Sequence, residues 1–325
     1  MSDAVIVPHR PDPPLLARNA GDLLWLARYI ERVENLARIL DVTQVFARDE
    51  RDGGHWRAVL RINGDEARFL EGGGTIADAR SVARFYVLDR TNPTSIPAAI
   101  AQARENARTL RAIIPTEMWL HLNVFHSAIL ALGEEDIAPE NLSRVCALLK
   151  ESCQAHSGIT EGTLYRDQGR HFYAIGRAIE RADQTTRLLD IGYRSLRPMM
   201  ESGEEIEAVR WTALLRAAAG YYAYRRLHPG GFVAAEVVDF LLLDEAFPRS
   251  VALSLREVHG NLLDLRSAHG LGASASALEC AERLLAALAE VPAAERLRDL
   301  SSFLDWTQGE LAALHNHVSA AFFAG

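Results

Sequence analysis

The chain has 325 residues, 43 acids against 35 Lys plus Arg, a formal net charge of −8, and hydrophobic and charged shares of 49% and 24%. That length allows one large domain or two of about 100–200 residues, and the composition is globular rather than disordered or fibrous. A net-negative chain lacks the basic footprint that nucleic acid requires, and no apolar run approaches the roughly 18 residues of a membrane span.

Residues 1–14 carry Pro8, Pro11, Pro13 and Pro14 and no apolar signal-peptide core. They read as a disordered Pro-rich tail on a cytoplasmic protein. From Leu15 onward Ala, Leu, Arg and Glu recur with a period of 3.6 and alternating β-branched runs are almost absent, so the expected fold class is all-α. Breaks are expected at Gly53-Gly54, Gly72 to Gly74, Asn92-Pro93, Pro115, Gly133 to Pro139, Arg197-Pro198, Pro229 to Gly231, Phe247-Pro248, Gly270 to Ser276 and Pro292. About ten to twelve helices fit between them.

On the first long helix Leu26, Ile30, Val33, Ala37 and Leu40 form a core stripe, with Glu31 and Arg38 in line beside it, Glu34 nearby and Arg28 further round. A Trp helix around Trp56 follows. Asp89 then leads into a turn at Pro93, where Thr94 and Ser95 can cap the next helix. Cys146 and Cys153 lie seven apart on one helix face and read as core. With three cysteines in all, no disulfide framework is expected.

The segment from Arg177 to Asp190, RAIERADQTTRLLD, matches RYIERVENLARILD of Arg28 to Asp41 at an offset of 149. Two further blocks keep an offset of 155. Trp56, Ala58 and Leu60 meet Trp211, Ala213 and Leu215, and Phe85, Leu88, Asp89, Pro93 and Ser95 meet Phe240, Leu243, Asp244, Pro248 and Ser250. Collinear blocks of this kind predict an internal duplication. The first repeat is residues 15–162 and the second 163–325, packed as one unit about a pseudo-twofold axis, with a six-residue insertion in the linker from Pro198 to Glu205.

The repeated charges are Arg28, Glu31, Arg32 and Arg38 in the first copy and Arg177, Glu180, Arg181 and Arg187 in the second. Apolar positions differ between copies, as in Trp25 against Ala174, while these charges keep their identity. Solvated charges would drift first. The expectation is a network of Arg and Glu bridging helices or halves, with a binding surface and simple surface ion pairs as alternatives. Asp89 and Asp244 read as turn or cap residues. Arg249, beside the helix start that Ser250 caps, could draw a carboxylate or phosphate.

Several chemistries are missing from the sequence. Lys150 is the only lysine and follows no glycine-rich loop, which excludes a phosphate-binding P-loop. No Glu is followed by His at i+3, His-Glu-x-x-His does not occur, and His315 and His317 point apart on a helix. There is no Asp-Asp pair and no G-x-S-x-G. No metal or cofactor is expected, and no catalytic set is evident. If the chain is an enzyme, Glu31 or Glu180 is the candidate general base.

Leu15 to Asp41 with Gly176 to Asp190, and LDRTNPTSI, ARENAR, MWLHLN and FLLLDEAFPRS in order between and beyond them, resemble the alpha-E domain family. This is a bacterial helical family named for its Glu-Arg motif, and the resemblance covers nearly the whole chain from Leu15. It implies association with an ATP-grasp ligase and a transglutaminase-like protein. This chain would then be the partner, scaffold or substrate holder of a system that joins carboxylates to amines. Acyl or aminoacyl transfer, or binding of a small acidic ligand in a cleft between the repeats, are the alternatives.

Overall fold

The computed structural model describes residues 15–47, 54–202 and 207–323, and these are helices and connecting turns with no strand. The tail at 1–14 and part of the linker at 198–205 lie outside the described residues. The chain begins with α1 (Ala17–Phe46), α2 (Gly54–Ile62), α3 (Glu66–Glu71) and α4 (Ala79–Ala83). A π-helical turn, Arg84–Leu88, leads through the Asp89 loop to α5 (Ile96–Thr109), α6 (Thr116–Leu130) and α7 (Leu142–Thr163). Then come α8 (Gln168–Ser202), α9 (Glu207–Ala217), α10 (Tyr221–Leu227), α11 (Ala234–Leu243) and α12 (Val251–Ser267). A short 3-10 turn, Gly272–Ser274, precedes α13 (Ala275–Glu290), α14 (Ala293–Arg298) and α15 (Leu300–Phe322).

Most expected breaks fall between these helices, but that at Arg197-Pro198 does not, because α8 continues through Pro198 to Ser202. Proline removes one backbone hydrogen bond and crowds the carbonyl four residues back, a cost of about 3 kcal/mol. A 35-residue helix anchored along its buried earlier turns can absorb that near its end. Conversely, α9 and α10 are divided without proline. Ala219 takes a left-handed backbone conformation at φ 58°, like Gly64 at φ 71° after α2. The amide of Gly220 then closes on the carbonyl of Leu215, as that of Asp65 closes on Leu60.

The long helices α1 and α8 pack on each other at the centre. Helix α5 lies against α1, and α12 lies against α8. Helices α7 and α15 cover their remaining sides. Gly176 marks the closest approach, since a Cβ there would stand 2.2 Å from the carbonyl oxygen of Leu24. Being surrounded, α1 buries more than a single stripe: Leu23, Leu24, Leu26, Ala27, Ile30, Val33 and Leu36 face different neighbours. Buried apolar side chains from both sides of the α7–α8 connection belong to one hydrophobic cluster. Among the described residues no helix is long and apolar enough to cross a membrane.

Candidate functional site

Because α1 and α8 are enclosed, the flank that carries Glu31 and Glu180 is enclosed too, and both residues are at most 2% exposed. Each Glu-Arg pair reaches across to the other. Arg181 donates from Nε and Nη2 to Glu31 at 3.1 and 2.9 Å. Arg32 donates from Nε and Nη2 to Glu180 at 2.7 and 3.0 Å. These are two-pronged guanidinium–carboxylate pairs, the geometry that a planar fork best supplies.

A second layer surrounds the exchange. Asn35 donates to Glu31 at 2.9 Å and Gln184 donates to Glu180 at 3.2 Å, each from one turn further along its helix. Arg38 pairs with Glu34 at 2.6 Å and donates to the Ala217 carbonyl at the end of α9. Arg187 pairs with Asp183 at 2.7 Å and donates to the Ile62 carbonyl at the end of α2. Both arginines thus tie a long helix to the last turn of the short helix that follows the other one.

The second cation on each glutamate differs between the motifs. Glu180 takes it from Arg28, at 2.8 Å, within α1. Glu31 takes it from Arg249, whose Nη1 lies 3.0 Å away and whose Nη2 meets Glu34. Arg249 therefore does not stand open at a helix start to receive an anion. It turns inward, only 9% exposed, and Ser250 caps α12 by accepting from the Leu253 amide. Arg177 stays outside the exchange, 3.6 Å from Glu257. Asp89 accepts from the amides of Thr91 and Asn92, and Asp244 from those of Ala246 and Phe247, so both hold turns.

Electrostatics follow from this geometry. Burial by itself would raise the Glu180 carboxyl, but Arg32 and Arg28 overcome it and hold the pKa down to about 2. Burial opposes ionisation of Glu31 in the same way, and Arg181 and Arg249 carry it well below the carboxylate range. Both are anions at neutral pH whose oxygens are occupied by guanidinium donors, which suits a counter-ion rather than a proton acceptor. Cys146 and Cys153 are buried, and burial raises both thiols, Cys146 to about 12. Among the described residues no group of three His, Cys, Asp or Glu side chains could hold a metal ion.

Beside Glu180 lies a cavity of about 270 Å³. Arg28 and Arg32 of α1, Asp183, Gln184 and Arg187 of α8, and Gln308 of α15 contribute to its walls. On its far side Asp65 accepts from Tyr86 at 3.0 Å and from Thr94 at 2.8 Å. Asp65 and Tyr86 carry no sequence signal, being 21 positions apart in a region without matched charges. Asn35 and Gln184 did leave one, since an amide stands four residues after each glutamate.

A family model named Alpha-E, described as a predicted alpha-helical domain with a conserved ER motif, matches residues 15–323. Uncharacterized proteins of Mycobacterium bovis and of two Mycobacterium tuberculosis strains are each 28% identical over 276 residues. The match takes in 78% of this chain and 30% of each relative, so the chain spans under a third of the length of the curated relatives it matches. No solved structure matches.

Proposed function

Starting from a chain that belongs to the Alpha-E family, we propose that it serves as a helical partner or scaffold of an ATP-grasp carboxylate–amine ligase system in the cytoplasm, without chemistry of its own. The observation that carries this reading is the inward exchange of both Glu-Arg motifs. The charges that give the family its motif are spent on holding α1 against α8. Acyl or aminoacyl transfer with Glu31 or Glu180 as base would need a carboxylate free to take a proton, and both are saturated by arginine. The relatives support a module that works beside other polypeptide, because the matched segment is 30% of their length.

The reading includes an internal duplication about a pseudo-twofold axis. Its support is the correspondence of contacts at the offsets of 149 and 155: Glu31 with Arg181 against Glu180 with Arg32, and Arg38 on Ala217 against Arg187 on Ile62. Caps follow suit, with Ser95 accepting from Ala98 and Ser250 from Leu253. A duplicated rigid centre leaves the outer helices to make contacts. On α6, Leu120 and Val124 stand one turn apart at 56% and 70% exposure, an apolar pair suited to a protein surface.

The test is co-purification and size-exclusion with an ATP-grasp carboxylate–amine ligase from the same organism. A complex at micromolar concentration, weakened by Val124→Glu without loss of helicity, is the expected result. Absence of any complex at that concentration removes the proposal.

A further inference from the structure

The two Glu-Arg motifs lie in unequal surroundings. Beside Glu31, the Arg249 guanidinium fills the space between Glu31, Glu34 and Asn35. The residue that matches Arg249 at the offset of 155 is Thr94. Its short side chain turns to Asp65 and Asn92, and the cavity of about 270 Å³ remains beside Glu180.

The charges on its walls balance, with Arg28, Arg32 and Arg187 against Asp65, Glu180 and Asp183. Their pairing is uneven, because Asp183 is held by Arg187 and Asp65 also meets Arg68, while the single Glu180 carboxylate is shared between Arg28 and Arg32. Donors are therefore left over. Arg28 gives only its Nε to a protein acceptor, and Arg32 only its Nε and Nη2. Among the described residues, both Nη groups of Arg28 and Nη1 of Arg32 have no acceptor. The opposite need stands next to them. Gln184, 5% exposed, donates Nε2 to Glu180 and Asp183 while its Oε1 accepts nothing among the described residues.

We propose that this cavity is a binding site for a small monocarboxylate of amino-acid size. The ligand's carboxylate lies on the bare N–H groups of Arg28 and Arg32, and a donor on the ligand reaches Gln184 Oε1. Paired guanidinium forks match the two oxygens of a carboxylate. Walls without net charge suit a zwitterion, while a phosphate dianion would leave a partly buried site negative. The volume is at the small end for ligand pockets, too tight for a nucleotide. The bare donors and the bare acceptor flank the same Glu180 carboxylate, so the anion and the donor of the ligand are a few bonds apart, as in an α-amino acid. The inference is independent of the ligase-partner reading.

The experiment is calorimetric titration and thermal unfolding of the full chain with L-alanine, alaninamide, propionate and inorganic phosphate. L-alanine is expected to bind and raise the unfolding temperature. Propionate, lacking the donor, binds roughly tenfold more weakly, and alaninamide, lacking the carboxylate, does not bind. Arg28→Gln abolishes L-alanine binding. Should that variant fail to fold, Ala312→Trp serves instead, because Ala312 is exposed on the cavity rim and outside the charge network. It should block L-alanine while leaving ligand-free unfolding unchanged. The proposal is overturned if none of L-alanine, L-glutamine and glycylglycine binds at about 10 mM, if alaninamide equals L-alanine, if phosphate binds better than any carboxylate, or if Ala312→Trp binds as well as the parent.

Discussion

A carboxylate as enclosed as Glu31 or Glu180 would take up a proton if it stood alone, because removing its hydration costs more than neutralising it. Here each anion has two guanidinium partners, so deleting one partner unbalances a buried group. Arg249→Ala should therefore cost about 3 kcal/mol or more in chemical denaturation. Arg177→Ala, which breaks a longer contact to a part-exposed Glu257, should cost under about 1 kcal/mol. Equal small losses would show that the network contributes nothing. The pH dependence separates two contributions. Unfolded Glu180 titrates near its ordinary 4.5 and folded Glu180 near 2, so the unfolded state binds protons first and stability drops as pH falls through that window. His156 is buried with neither ring nitrogen hydrogen-bonded, and burial lowers its pKa from 6.5 to about 3. As a base kept neutral by the fold, it begins to cost stability below about pH 6.5, before Glu180 does. His156→Phe should flatten the acid limb from about 6.5 down to about 3, leaving the Glu180 contribution as the part that remains below about 4.5. A limb of unchanged shape, measured by urea denaturation across pH, contradicts this assignment.

At the scale of elements, the contact between α1 and α8 depends on Gly176, where the atoms nearest an added Cβ are all backbone of Leu24. Backbone cannot rotate aside as a side chain can. Gly176→Ala must separate the two helices and loosen the Glu-Arg exchange beside them, with an expected loss of about 1–3 kcal/mol or more. Gly260→Ala, in open space on α12, should be neutral or stabilising through helix propensity. A neutral Gly176→Ala by thermal unfolding would mean that the helices are not in such close contact. The elements also differ in how far the sequence announced them. Caps at Ser95 and Ser250 were legible because a hydroxyl before a helix acts on amides three residues away. Continuation of α8 through Pro198 was not, since proline's local preference reads as a stop and only the length and anchoring of the helix outweigh it.

For the whole molecule, the exchange between motifs about 150 residues apart has a direct consequence. If residues 15–162 and 163–325 are two repeats packed as one unit, neither can satisfy its own buried glutamate. Each half expressed alone should be largely unfolded or aggregated. The two co-expressed, with the chain cut in the loop between Thr163 and Gln168, should associate into a helical complex of native size. Circular dichroism and size-exclusion of the fragments check this, and an independently folded half would argue for two separate domains. By itself, the sequence determined that the chain is helical, that its family is Alpha-E, and that the Glu-Arg pair recurs at an offset of 149. Periodicity, capping and repetition act over a few residues or appear by direct comparison. Only the tertiary structure decided that Arg249 would reach Glu31, 218 positions away, that Asp65 would meet Tyr86 and Thr94, and that a cavity would stay open beside Glu180. Those outcomes depend on where separate helices pack, and a side chain's burial and partners are set by its neighbours in space, which one-dimensional spacing does not encode.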